Sequence, residues 1–235
     1  MSPNHVGMDG EYLHEVALFT LCWACLYWAL RRWSPELDEP TVAKQVSLVH
    51  AHVAFLLGLW WLAFADDGHS LAEPWTRTFW NTEQALRINS VTAAYMIYDM
   101  HAALRFHRPF ILHHVIAIVG IVGTHIFGRG ACMNVHNIFC AEVGGIFFHV
   151  DRLTPASSPQ KALTKRLFLF FVGVTRLFYF PYISYNALQA LFHGECEKCP
   201  VHGFCAVALL CQLGLSAVNL NWFRTNVLQK KVAVD

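Results

Sequence analysis

The sequence predicts an all-α integral membrane protein, a bundle of about seven transmembrane helices, and three observations carry that prediction. Apolar side chains make up 55% of the 235 residues and charged ones only 14%, too few charges for the surface of a soluble domain. The apolar residues gather in runs of about 20, the length a helix needs to cross roughly 30 Å of hydrocarbon. Lys and Arg collect between the runs and mainly on alternate connections, as the insertion rule for cytoplasmic loops requires. The formal net charge of +1 supplies no field that would attract nucleic acid, so a nucleic-acid partner is not expected.

The runs follow in order. Residues 12–30 form the first, and the segment before it lacks the basic region of a removable signal, so it is expected to remain as a helix. Residues 46–65 form the second, between Lys44 and Asp66. The third, 88–104, is interrupted by Asp99 and His101, and the fifth, 131–150, by Glu142 and His149. Residues 110–127 make the fourth, 167–192 the sixth and 201–223 the seventh. Were the third and fifth to lie beside the bilayer, five spans would remain. Seven is preferred, because a polar residue within a span is what a buried functional site requires. Pro181 is expected to kink the sixth span. The tryptophans near span ends, such as Trp60, Trp61, Trp75, Trp80 and Trp222, read as an interfacial belt.

With seven spans, twelve Lys and Arg fall on one side and only Arg77, Arg87, Arg129 and Lys198 on the other. That bias puts the C-terminus in the cytoplasm and the N-terminus in a lumen or outside. Three regions result: 1–43 with the first helix, 44–225 as the main transmembrane domain, and 226–235 as a cytoplasmic tail. The chain has no repeat of period 20 to 50 and no dinucleotide, phosphate-loop or zinc-protease motif.

The chemistry lies in ionisable residues that share a depth. Asp99 precedes the cytoplasmic end of the third span by about one turn, and His113 and His114 follow the start of the fourth by a similar distance, so all three sit within roughly 10 Å of the same boundary. His50, His52, His101, His149 and Asp151 fall in or near that layer. Isolated charges in hydrocarbon are costly, so such groups are expected to face one another or water. Adjacent residues are about 100° apart on a helix, so His113 and His114 cannot face one point, and one is expected to support the other. Glu142 shares a face with Gly145 and His149, and Gly144 and Gly145 would let another backbone approach. In the sixth span Thr175, Tyr179, Tyr182 and Asn186 form a polar stripe beside Arg176. Glu142, His149, Arg176, Tyr179 and Tyr182 are therefore candidate substrate-binding residues, and Glu142 with Arg176 a candidate buried ion pair or shared wet pocket.

The stretch 95–153 resembles the centre of a TLC domain. In that family an aspartate in one span is followed, after a basic turn, by a paired histidine in the next and then by an acidic residue in a span rich in small residues. Here those positions are Asp99, His113 with His114, and Glu142 followed by Val143, Gly144 and Gly145. The resemblance extends from about the second span to the C-terminus. The family includes the ceramide synthases, which join an acyl group from acyl-CoA to a sphingoid base, and short members linked to membrane lipid composition or to escorting other proteins. The synthases carry an HDxxD arrangement after the paired histidine, whereas this chain reads CAEVGG, with Glu142 as its one acid. It is thus more similar to the short members. The resemblance implies an endoplasmic-reticulum membrane, membrane lipids as ligands, acyl-CoA as a co-substrate, and no resident cofactor.

Acyl transfer from a thioester suits these residues, because a neutral imidazole can take the proton of an attacking amine or accept the acyl group itself. His113 or His114 would do so, with Asp99 holding the ring, and Arg105, Arg108, Lys165 and Arg166 could draw in CoA phosphates. The rivals are a lipid-binding or trafficking protein without turnover, an accessory subunit of a larger membrane complex, and a bis-histidine haem site. His193, Cys196, Cys199 and His202 recur every third residue near Cys205 in the last lumenal loop. Their spacing is short for zinc, and a disulfide is the favoured reading there.

Overall fold

The computed structural model describes residues 10–65, 79–106, 110–193 and 204–224. They form seven helical rods: α1 (Gly10–Trp33), α2 (Glu39–Trp60, continued as a π-helical turn over Trp61–Ala65), α3 (Glu83–Phe106), α4 (Ile111–Phe127), α5 (Ala131–Leu153), α6 (Lys161–Phe192) and α7 (Phe204–Phe223). Each coincides with one of the seven runs, and no strand occurs among the described residues. The N-terminal turn of α2 is capped by Asp38, whose carboxylate accepts from the Thr41 amide at 2.9 Å, with Pro40 in the first turn. Between α4 and α5 the chain reverses within three residues. Gly128 and Gly130 take φ of 65° and 90° there, where a side chain would be strained.

Five of the rods, α1, α2, α5, α6 and α7, are long and apolar enough to cross a bilayer. The fifth run, doubtful by sequence because of Glu142 and His149, is among them. α4 has only 17 residues. α3 is diluted by polar side chains, yet Asn89, Ser90 and Thr92 are at most 1% exposed. They turn toward neighbouring helices, where the Asn89 amide donates to the Ala131 carbonyl at 3.4 Å, so the polarity of α3 faces protein rather than lipid. Exposed Leu18, Leu56, Val119, Phe170, Phe178 and Leu210 cover the outside.

Helix contacts run α2 to α5, α5 to α6, α6 to α7, α7 to α4, α4 to α3 and α3 back to α2, closing a ring of six, with α1 against α3 and α2 on its outside. The apolar core fills one half of the ring. There the end of α2 and the beginnings of α3 and α5 meet through Trp61, Leu86 and Val135, and the end of α6 meets the start of α7 through Ala187 and Cys205. The other half is hollow.

α6 is not a uniform α-helix. Gly173–Tyr179 is π-helical, and the Phe180 amide bonds to the Thr175 carbonyl, five residues back. Pro181 follows, and its missing N–H and bulky ring cannot sit in a regular α ladder. The kink expected from Pro181 is thus realised as a π turn, the form in which helices take up an extra residue.

Candidate functional site

A cavity of about 360 Å³ occupies the hollow half of the ring and receives residues from all six ring helices and none from α1. Its walls come from the start of α2, the ends of α3 and α5, the starts of α4 and α6, and the end of α7. All are the ends that the distribution of Lys and Arg assigns to the cytoplasm. Asp99, His113, His114, Glu142, His149 and Arg176 all line it.

Asp99 and His114 are in contact. The His114 Nε2 lies 2.9 Å from Asp99 Oδ2, and its Nδ1 lies 2.8 Å from the Phe110 carbonyl in the preceding turn. Both ring nitrogens are thus engaged, one with the carboxylate and one with the backbone, and the ring is fixed in orientation. His114 is buried and has no nitrogen left for a ligand. His113 is different. Its ring stands edge-on to that of His114 at 5.8 Å, and its nitrogens have no hydrogen-bond partner among the described residues. The paired histidines therefore divide their work, as their 100° separation requires. One is fixed by Asp99, and the other is presented to the cavity.

Glu142 faces a second imidazole. Its Oε1 is 3.9 Å from Nδ1 of His50 on α2, and its Oε2 occupies the space that a side chain at Gly145 would need, 2.7 Å from where that Cβ would stand. Gly144 lets α6 approach: a Cβ there would meet Val172 Cγ2 at 3.2 Å and Thr175 Oγ1 at 3.4 Å. His50 is 1% exposed and lies flat on Tyr95 with centroids 3.6 Å apart, while Trp23 of α1 meets both rings edge-on. His149 lies edge-on to Phe148 at 5.2 Å.

Arg176 comes into the cavity from the π stretch of α6. It makes no ion pair with Glu142 within 4.0 Å. Its Nη1 donates instead to Asn219 Oδ1 of α7, and its Nε is buried without an acceptor among the described residues. Of the two expected arrangements, a direct ion pair or a shared pocket, the structure has the second: both residues line one cavity, Glu142 beside His50 and Arg176 on Asn219. Tyr179 and Tyr182 do not line the cavity. Tyr179 shares a hydrogen bond of 2.9 Å with His136 Nδ1, and Tyr182 is 45% exposed. The extra residue of the π turn shifts the faces that follow it, so the α-helical spacing that grouped them with Arg176 does not hold.

Of the wider histidine layer, His52 and His101 lie on the exterior. Asp151 binds Lys161 at 3.0 Å and closes the α5–α6 connection. Two mouth residues went unassigned in the sequence: Lys44 and Arg152 line the opening, the latter 5.3 Å over the Phe148 ring. Arg105 pairs with Glu39 at 3.1 Å rather than standing at the entrance, and Arg108 lies outside the described residues. Phe148 and Phe168 are tilted to each other at 5.5 Å and both meet Trp222 edge-on at 5.9 and 5.8 Å, forming a collar. The pattern that marks Lys44, Arg152 and this collar is position at the span ends rich in Lys and Arg, which topology signals also occupy.

Cys196, Cys199 and His202 lie outside the described residues. His193 ends α6 and is exposed, and Cys205 is buried in α7. Among the described residues no group of three His, Cys, Asp or Glu side chains is placed to hold a metal ion. In comparisons with known proteins, residues 42–227 match the family model of the TLC domain. No curated protein matches the chain significantly.

Proposed function

Since the chain belongs to the TLC-domain family, whose members are membrane proteins linked to lipid metabolism, we propose that it receives acyl lipids in the six-helix cavity and transfers an acyl group from acyl-CoA to a long-chain amine. The observation that carries this reading is the division between His114, locked to Asp99 at 2.9 Å, and His113, whose nitrogens are left to the cavity. In the proposed step His113 takes the proton of the amine as its nitrogen attacks the thioester carbon. The new C–N bond forms, the C–S bond breaks, and the imidazolium returns its proton to the departing thiolate, so the histidine ends as it began. Asp99 and His114 act as positioning residues that fix the start of α4 and hence the His113 ring. Lys44 and Arg152 are the proposed contacts for CoA phosphates, in place of Arg105. The proposed setting is the endoplasmic reticulum, with the cavity open to the cytoplasm where acyl-CoA resides.

Purified protein incubated with long-chain acyl-CoA and long-chain amines, followed by lipid mass spectrometry, tests the reading. An N-acyl product from the wild-type chain that disappears in His113→Ala supports it. No product with any amine, together with retained lipid binding, overturns the transfer step and leaves a lipid-binding protein.

A further inference from the structure

The charges around the cavity do not cancel locally. Three cations line it, Lys44, Arg152 and Arg176, against two carboxylates, Asp99 and Glu142. Each carboxylate already has an imidazole beside it, His114 at 2.9 Å and His50 at 3.9 Å. None of the three cations has a carboxylate within 4.0 Å among the described residues. Lys44 and Arg152 stand at the mouth, where water can solvate them. Arg176 does not. It lies nine residues past Leu167, where the apolar run of α6 begins, roughly 14 Å along the helix, and a cation at such a depth is costly unless it is paired. Its hydrogen-bond partner among the described residues, Asn219, is neutral and 1% exposed, so Asn219 orients the guanidinium without neutralising it. Glu142, the carboxylate whose charge acts most strongly on Arg176, lies beyond 4.0 Å from it, with Oε1 3.9 Å from His50 Nδ1 and Oε2 over Gly145.

We infer that Arg176 is the anion seat of this cavity and that the ligand it takes is a long-chain amphiphile whose head bears an oxyanion, either a carboxylate or a phosphate monoester. The planar fork of an arginine matches two oxygens of such a head. Lys44 and Arg152 at the mouth give the anion a favourable path inward. A smaller, mainly apolar cavity shares Met96, His113 and Glu142 with this one and is lined beyond them by Ile116, Ile138 and Leu215, so a chain attached to the head has an apolar direction to follow. The inference rests on the proposed use of this cavity for acyl lipids but does not require turnover.

The test uses the full chain in nanodiscs and three ligands with one tail: hexadecanoate, hexadecyl phosphate and hexadecanol, at about pH 8, where both anions are ionised. Binding is read from tryptophan fluorescence, Trp222 being part of the wall, and from thermal stabilisation. At least one anion should bind about tenfold or more tightly than the alcohol, and the tighter one identifies the head group. Arg176→Gln should erase that preference, and Arg176→Lys should retain part of it. A wild-type chain that binds anions through Arg176 but transfers no acyl group separates this inference from the catalytic reading. Equal affinity for the alcohol and both anions in the wild-type protein, which needs no variant, overturns the inference. So does anion preference unchanged in Arg176→Gln.

Discussion

Replacing each of the adjacent histidines by alanine should give opposite phenotypes. His114→Ala removes the partner of a carboxylate whose side chain is 17% exposed and also frees the Phe110 carbonyl in the first turn of α4. Breaking a buried pair from one side typically costs about 3 to 5 kcal/mol. For a chain of this size each kcal/mol shifts the melting temperature by about 2 to 4 °C, so a fall of roughly 6 to 20 °C is expected. His113 has no such partner, and its removal should cost about 1 kcal/mol or less while abolishing lipid turnover. The assay is thermal unfolding of detergent-purified protein followed by the fluorescence of its 8 tryptophans, beside mass spectrometry of the lipid product. Asp99→Ala should resemble His114→Ala, and the double variant should be less unstable than the two single losses added together. If His113→Ala were the unstable protein, or if the Asp99 and His114 losses simply added, the division of roles between the two rings would be wrong.

Gly145→Ala would place a Cβ 2.7 Å from Glu142 Oε2. The flexible carboxylate can swing away, so stability should fall by only about 1 kcal/mol while lipid binding or turnover drops severalfold; unchanged function in the variant would remove Glu142 from the site. At the start of α2, the hydrogen bonds from Thr41 hold the Asp38 carboxyl below its ordinary value of 3.8. Its cap therefore strengthens the helix above that value and is lost as the pH falls through the lowered one. Asp38→Asn should make hydrogen exchange of the α2 amides insensitive to acid in that range, and an unaltered acid response would show that the cap does not control the helix start. A tag after Asp235 should be reached by protease from the cytoplasmic side of sealed vesicles, as the charge bias requires; protection there would invert the topology.

All seven helices were legible because each is an apolar run closed by charge, proline or glycine, and lipid leaves the backbone no other way to satisfy its hydrogen bonds. The shared depth of Asp99, His113 and His114 was legible for a related reason. A fixed rise per residue turns sequence distance from a span end into depth. Rotation about the helix axis was not legible where the helix departs from α geometry. Tyr179 and Tyr182 were grouped with Arg176 on α-helical spacing, and the π turn over Gly173–Tyr179 moved them away from it. Pro181 announced an irregularity but not its form. The partner of each charge was also hidden, because pairing depends on which helices are neighbours in the ring. His50 lies on α2 and Glu142 on α5, 92 positions apart in the sequence, and only the closure of the ring through the α2–α5 contact brings them together.

That same contact explains why α1, which lies outside both the ring and the matched segment 42–227, still bears on the site. Trp23 packs edge-on to both His50 and Tyr95, which are stacked on each other. His50 in turn faces Glu142 across 3.9 Å. An imidazole lying flat on a tyrosine and closed in by an indole has little room to turn, so its Nδ1 stays aimed at the carboxylate. The orientation of Glu142 is thus set from two sides. Gly145 supplies the space for one oxygen, and an aromatic stack reaching from α1 fixes the imidazole beside the other. A side chain at one remove from the cavity wall, on a helix that contributes nothing to that wall, holds the acid in place, and with Glu142 drawn to the α2 side, Arg176 is left facing the cavity on the other.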